Sequence, residues 1–268
     1  MTTAPNLRTA QRLSVAILLL AAVASLGGLV IPGLYRETAW SLPQVRGQDL
    51  VTLLALPALA FALVGVRRGS ARAAMAWIGL LGYVFYTYTG ASFAYYFNEF
   101  FLIYVALFSL SIFALIAALT GIDVDEIHRR FDADAPRRPV AVYLAFVGTL
   151  LTVLWLGQIV PFLASGTLPE LIVRAEAPTN FVYVLDLGLV VPLAWLTAVW
   201  LWRKRAWGDV LAGCLLIKAA TMGLALLSMT WFAAMTGQEI DPGLAAVWAV
   251  IAGGSLALIG WFLRACRG

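Results

Sequence analysis

The sequence predicts an all-α polytopic membrane protein with eight transmembrane helices, arranged as two parallel four-helix repeats. Three observations predict this fold: an apolar composition, eight long apolar segments, and matching residues in the two halves. Of the 268 residues, 62% are hydrophobic and 12% are charged, and the mean hydropathy is +0.91. An ordinary soluble domain carries about 25% charged residues. The composition therefore excludes a soluble enzyme, a disordered chain and a nucleic-acid-binding domain, and it indicates the lipid bilayer as a partner.

Eight segments are long enough to cross a bilayer, because about 20 apolar residues in a helix span its hydrocarbon core. The predicted spans are 13–34, 50–66, 73–93, 99–119, 140–163, 181–202, 207–235 and 243–263. The first span follows Arg8 and Arg12, as the apolar core of a signal peptide would, but its apolar run is longer than a usual signal core. We therefore expect it to be retained as a span.

Basic residues are distributed asymmetrically between the two sides of the predicted bundle. If the N-terminus is cytoplasmic, the cytoplasmic segments hold fourteen of the eighteen Lys and Arg residues. The outer segments hold only Arg36, Arg46 and Arg174, and Lys218 lies within a span. Lys and Arg are enriched in cytoplasmic loops. Both termini are therefore expected in the cytoplasm, and the basic pI of about 9.3 does not indicate a nucleic-acid partner.

The two halves of the chain, 1–139 and 140–268, share the order of several marker residues. Segments 28–32 and 157–161 each run from Gly to Pro and close the first and fifth spans. Further matches follow in the same order: Asp49 and Asp186, Pro57 and Pro192, and the basic clusters 67–68 and 203–205. Repeats of four spans would have the same orientation in the membrane. The alternative explanation is chance matching between apolar stretches.

Lys218 is the least expected residue, because it lies eleven residues into the seventh predicted span. An ammonium at that depth is costly unless it faces the interior of the bundle and finds a partner. Asp186 in the sixth span is within reach of its side chain, and Tyr183 lies one helical turn from Asp186. The sequence therefore predicts a Lys218–Asp186 pair, and it places Tyr183 where its hydroxyl can bond to the carboxylate. Three interpretations stay open: a structural ion pair, a substrate- or proton-linked site, and a reactive lysine such as a retinal-type Schiff base.

The third predicted span is rich in phenol side chains, and Tyr83 and Tyr86 lie on one face of it. Phenols within a bilayer need hydrogen-bond partners. One interpretation is an aromatic cavity that opens outward near Asn98 and Glu99, and the alternative is an aromatic turn at the membrane interface. Asp49 is expected near the outer surface, either beside Glu99 or solvated. In the predicted repeat, Tyr83 takes roughly the position that Lys218 has in the second half.

The region that joins the second, third and fourth spans carries a family resemblance. Its features are the run Arg67-Arg68-Gly69-Ser70-Ala71-Arg72, then Trp77, Gly79, Tyr83, Tyr86 and Tyr88, and then the run from Asn98 to Leu107. These features resemble a family of uncharacterised bacterial multi-pass integral membrane proteins, best over the first half of the chain. The resemblance implies a location in the bacterial plasma membrane, and it assigns no functional residue.

The leading functional hypothesis is a cavity between the two halves that binds or transports a small molecule or ion. Asp186, Lys218 and Tyr83 are expected to line it. The alternatives are a non-catalytic structural or accessory membrane protein and a retinal- or lipid-binding membrane protein. An enzyme acting on lipid-like substrates is less favoured, since the sequence has no histidine-rich or carboxylate-paired cluster on a cytoplasmic face. A deep groove that opens to lipid and holds Glu99 with Asp49 would favour it.

Cofactors and metals have little support in the sequence. It has no glycine-rich phosphate loop and no nucleophile elbow. His128 is the only histidine, which excludes a multi-histidine metal site, and Cys214 and Cys266 have no metal-ligand spacing. No cofactor is therefore assigned. Segment 120–139, which contains His128, is expected to be a solvated amphipathic turn or short helix on the cytoplasmic side.

Overall fold

A computed structural model describes residues 5–267, and long helices dominate this part of the chain. The helices are α1 (Pro5–Val30), α2 (Ser41–Arg67), α3 (Ala71–Phe93), α4 (Phe101–Gly121), α5 (Val124–Arg129), α6 (Arg137–Ser165), α7 (Glu170–Arg174), α8 (Phe181–Leu185), α9 (Val191–Trp202), α10 (Ala206–Met235) and α11 (Pro242–Arg264). A π-helical turn at Asp186–Val190 joins α8 to α9, so that these two helices form one continuous segment.

Seven helical segments are long and apolar enough to cross a membrane: α1, α2, α4, α6, the combined α8–α9 segment, α10 and α11. They correspond to seven of the eight predicted spans. The remaining predicted span, 73–93, is α3. Its composition is less apolar because it carries Tyr83, Tyr86 and Tyr88 as well as two threonines. Most residues of α3 are buried against other helices. A helix that is surrounded by protein does not need an apolar surface for lipid, which accounts for its polarity.

Helix α10 is the central helix of the bundle and packs against α2, α3, α9 and α11. Glycines allow these close approaches. A Cβ atom at Gly47 would lie 2.6 Å from the backbone of Met229, and one at Gly79 would lie 2.5 Å from the carbonyl oxygen of Cys214. Small residues at such crossings bring helix backbones together, so that van der Waals contacts hold the two halves against each other.

The two halves differ in how completely their helices pack around one another. In the first half α1 packs along α4, α2 packs on α1 and α3, and α3 packs on α4, which forms a closed ring of four helices. In the second half α6 packs on α9 and α10 packs on α11, but α6 and α11 meet only over a short stretch. There the Tyr143 hydroxyl donates a hydrogen bond to the Ile251 carbonyl (2.7 Å) and lies 3.0 Å from the Ser255 hydroxyl. The second half is therefore partly open between its first and last helices.

The end of the bundle that carries α5, called the base below, is tied together by a buried carboxylate. Asp209 at the start of α10 is fully buried. It accepts hydrogen bonds from the Arg137 guanidinium at 2.8 and 3.1 Å, and the Nδ1 atom of His128 lies 2.5 Å from it. Segment 120–139 contains the short helix that was expected, but it is docked rather than simply solvated, because Ile127 is fully buried. The base therefore links α5, α6 and α10.

Candidate functional site

A cavity of about 1470 Å³ lies where the second half is open, and it is reached from the end of the bundle opposite the base, called the mouth below. Its walls come from α2, α3, α6, α8, α9, α10 and α11, and α7 lies at its mouth. The walls are largely apolar and include Leu144, Val147, Leu151, Leu215, Met222, Leu226, Trp248 and Ile251. Small-molecule pockets usually measure about 300–1,000 Å³ and are mostly apolar. This cavity can therefore accommodate an organic ligand.

Lys218 lies on the cavity wall and is half-buried there. Its ammonium nitrogen lies 4.1 Å from the centre of the Tyr86 ring, over the ring face. A cation in this position is attracted by the negative face of the ring. Within residues 5–267 the ammonium has no hydrogen bond and no ion pair with the protein. Its three N–H donors are therefore free to bind a group inside the cavity.

Asp186 is buried beside the cavity, and neutral donors bond both of its carboxylate oxygens. The Tyr86 hydroxyl donates to Oδ1 (2.9 Å), and the Trp155 indole N–H donates to Oδ2 (2.8 Å). No hydrogen bond or salt bridge within 4 Å joins Lys218 to Asp186, although the two charges are near enough to interact electrostatically. Instead Tyr86 connects them, because its ring faces the ammonium and its hydroxyl bonds the carboxylate. Asp186 also opens the π-helical turn, a distortion that is frequent at functional sites.

The sequence suggests a hydrogen bond from Tyr183 to Asp186, but Tyr183 has another partner. Its hydroxyl donates to the side-chain carbonyl of Gln158 (2.6 Å), and its ring packs on Trp155 with 5.1 Å between the ring centres. Tyr183 therefore positions Trp155, which in turn bonds Asp186. Sequence reasoning missed both Trp155 and Gln158. An amide within an apolar span was the signal that could have found Gln158.

Tyr83 is fully buried and lies behind the cavity wall rather than on it. Its hydroxyl accepts a hydrogen bond from the Gln48 amide (2.6 Å) and lies 2.9 Å from the Thr52 hydroxyl. Gln48 also donates to Thr87 (2.9 Å), and both of these side chains line the cavity. Tyr83 therefore supports polar wall residues, whereas Tyr86 itself faces the cavity. Sequence reasoning missed Gln48 because it placed the start of the second span after this residue.

Asp49 is buried in the closed first half and does not line the cavity. It accepts a hydrogen bond of 2.6 Å from the Tyr35 hydroxyl. Burial, and then the adjacent Asp49 carboxylate, hold the pKa of Tyr35 well above its usual value. Asp49 is therefore enclosed by protein. It is not solvated, which was one of the two alternatives that the sequence left open.

Asn98 and Glu99 lie in the turn between α3 and α4, outside the cavity. Asn98 is buried and holds the turn, since its side-chain oxygen accepts a hydrogen bond from the Phe100 amide (2.9 Å). Glu99 is exposed and pairs with Arg36 at 2.6 Å. Its own backbone amide and then Arg36 lower the pKa of Glu99. Neither residue contributes to the cavity.

The mouth of the cavity is predominantly acidic. Its acidic residues are Glu37, Glu170, Glu176, Glu239 and Asp241, and its basic residue is Arg174, which pairs with Glu170. Burial raises the pKa of Glu37, although the Tyr96 backbone amide donates a hydrogen bond to its carboxylate. In the described part of the chain, no three His, Cys, Asp or Glu side chains are grouped closely enough to hold a metal ion.

The site is thus an apolar cavity with an acidic mouth and a lysine on its wall, linked through an aromatic ring to a buried aspartate. Comparison with known proteins gives no match, because no family model, curated protein or solved structure is significantly similar to this chain.

Proposed function

We propose that this multi-pass membrane protein binds a small molecule in the cavity and that Lys218 is its main recognition group. The observation that carries the proposal is the free ammonium on the wall of an apolar cavity. A poorly solvated ammonium without acceptors is unfavourable. A ligand that brings an acceptor atom to the three N–H donors removes that cost, and the apolar walls then contribute hydrophobic contacts.

The arrangement around Asp186 simplifies the binding step. The carboxylate already accepts hydrogen bonds from Tyr86 and Trp155, and its interaction with Lys218 is electrostatic, without a salt bridge within 4 Å. A ligand therefore does not have to break a hydrogen-bonded ion pair before it reaches the ammonium. Transport would additionally require the base to open, where Asp209 binds Arg137 and His128. Binding is accordingly the function that the geometry supports best.

We also propose that α3 crosses the membrane, which gives eight spans with both termini in the cytoplasm of a bacterial cell. The burial of α3 among membrane helices and its length of 23 residues support this topology. The excess of Lys and Arg on the side of the base supports the orientation. Reporter fusions at the turns that precede and follow α3 test it: opposite locations are expected, and equal locations contradict it.

The binding proposal is tested by native mass spectrometry of the protein purified without added ligand. We expect an adduct that the wild type and a Lys204→Met variant retain and that a Lys218→Met variant loses. Lys204 is the matched control because it carries the same side chain in an exposed turn at the base. Equal retention by the Lys218→Met variant, or no adduct on the wild type, contradicts the proposal.

A further inference from the structure

We propose that the ligand is a single-chain amphiphile with a carboxylate head, which reaches the cavity from the bilayer and binds with its head at Lys218. This inference rests on the binding function proposed above and names the ligand class. Three features of the cavity support it: the charge beside Lys218, the acidic mouth, and the exposed apolar side chains that line the cavity.

The charge balance around Lys218 favours one negative charge on the ligand. The groups that face the ammonium are the Tyr86 ring and, beyond its hydroxyl, the Asp186 carboxylate. Among the described residues, Arg174 at the mouth is the one arginine that lines the cavity. A carboxylate adds one charge and accepts hydrogen bonds from the ammonium. A doubly charged phosphate would add uncompensated negative charge near Asp186, which disfavours it.

The acidic mouth disfavours the approach of an anion from water. Four of the mouth carboxylates, on Glu37, Glu176, Glu239 and Asp241, have no basic partner within the described chain. A cleft lined by charges of one sign attracts ions of the opposite sign and repels its own. An anionic ligand is therefore expected to use another route to Lys218.

We expect that route at the side of the cavity, where exposed apolar side chains line it. Phe93 at the end of α3 and Val184 in α8 both line the cavity, and they are 71% and 63% exposed. Apolar side chains in this position make the rim of the cavity compatible with lipid tails. Gly157 of α6 also lines the cavity, and no other atom lies within 4 Å of where its Cβ would be. The α6 wall therefore leaves open space at this position for an alkyl chain.

The volume of the cavity fits this ligand class. About 1470 Å³ exceeds the usual 300–1,000 Å³ of a small-molecule pocket. A single long alkyl chain can lie along the apolar walls while its head reaches the lysine. Because such a chain leaves one apolar environment for another, its length contributes little to affinity measured against the bilayer. The head group is expected to dominate discrimination between ligands.

The test measures binding of radiolabelled palmitate to the protein in nanodiscs of zwitterionic lipid, with competition by hexadecanol, hexadecylammonium and butyrate. We expect palmitate to bind. We expect hexadecanol and hexadecylammonium to displace it at least tenfold less effectively than unlabelled palmitate does. Butyrate, which reaches the protein from water, is expected not to compete. Equal competition by hexadecanol or hexadecylammonium overturns the carboxylate assignment, and effective competition by butyrate overturns access from the bilayer.

Two lysine variants provide the matched pair. Lys218→Met is expected to weaken palmitate binding at least tenfold, whereas Lys204→Met makes the same chemical change in an exposed turn at the base and is expected to have no effect. Thermal unfolding of both variants establishes that they are folded. Unchanged palmitate binding by folded Lys218→Met overturns the inference.

The two proposals fail in different ways. If the wild type carries a Lys218-dependent adduct but does not bind palmitate, the cavity binds a ligand of another class and only the present inference is wrong. If the wild type carries no adduct and does not bind palmitate, both proposals are wrong.

Discussion

The two halves of the bundle contain similar long helices, yet one is closed and the other is open. In the closed half α1 packs along α4, and Asp49 is enclosed with Tyr35. In the open half α6 and α11 meet over a short stretch, and Asp186 lies beside a cavity. The packing between the first and last helix of each half therefore decides whether a buried aspartate is sealed in protein or faces a potential ligand.

Positions that correspond in the predicted repeat sharpen this contrast. A Cβ atom at Gly28 would lie 2.1 Å from the Asp49 carboxylate, whereas one at Gly157 would have no neighbour within 4 Å. Tyr83 forms hydrogen bonds with Gln48 and Thr52 in the closed half, whereas the Lys218 ammonium lies over an aromatic ring and forms no hydrogen bond within residues 5–267. The closed half uses its polar residues to hold structure, and the open half leaves one of them available. The repeat itself stays a prediction.

The largest expected effect concerns the base, which ties the open half to α5. We expect Asp209→Asn to lower the free energy of unfolding by about 3–5 kcal/mol, because it leaves the buried Arg137 guanidinium without its carboxylate. Thermal unfolding in detergent measures the change. Asp134→Asn is the control, since Asp134 is exposed and should change nothing. A small effect of Asp209→Asn would show that the open half does not depend on this cluster.

Substitution by alanine of the two glycines that correspond in the predicted repeat should change the stability of the protein in opposite directions. Gly28→Ala is expected to destabilise the protein by about 1–3 kcal/mol, because the new methyl group collides with Asp49 and Tyr35. Gly157→Ala is expected to stabilise it by up to about 1 kcal/mol, because alanine favours the helix and meets no neighbour. Both are read from unfolding curves. Equal effects would remove the distinction between a closed and an open half.

The effect on stability of removing a polar group should also depend on the half in which that group lies. Tyr83→Phe is expected to cost about 1 kcal/mol of stability, since Gln48 and Thr52 each lose a hydrogen-bond partner. Lys218→Met is expected to leave stability unchanged or to raise it, because it removes a cation without a direct carboxylate partner. A large loss of stability in the Lys218→Met variant would assign the lysine a structural role.

The smallest effect is expected at the surface of the closed half. Glu99→Gln removes the exposed pair with Arg36, and no measurable change in melting temperature is expected at physiological salt. Because the pKa of Glu99 is lowered, any small stabilisation is present at neutral pH and is lost as the pH falls through the folded-state value. Melting curves at neutral and acidic pH check this, and a large shift at neutral pH would contradict it.

The sequence predicts the long helices well because the length of an apolar run fixes a membrane-crossing segment. It places the start of the second span at residue 50, whereas α2 begins at Ser41. Gln48 and Asp49 are buried by contacts with other helices, and hydropathy along one helix does not report such contacts. The sequence likewise draws attention to Lys218 and Asp186 because charged groups in apolar spans are rare.

The chemistry between these two residues was beyond sequence reasoning. The position of Tyr86 between Lys218 and Asp186 depends on the rotation of α3 relative to α10. The bond from Trp155 depends on how α6 packs beside the π-helical turn. Both are properties of helix packing, which leave no periodic signal in a single sequence.

The polarity of α3 has a consequence for biogenesis. A helix with so many phenol and hydroxyl groups is a poor candidate to leave the translocon for lipid by itself, whereas α4, which follows it after a short turn, is strongly apolar. In the proposed topology, the α3–α4 hairpin would then be the unit of insertion, with α4 drawing its partner into the bilayer. Its final place against α10 can be taken only after the second half has been synthesised, so membrane integration and assembly of the cavity would be completed together.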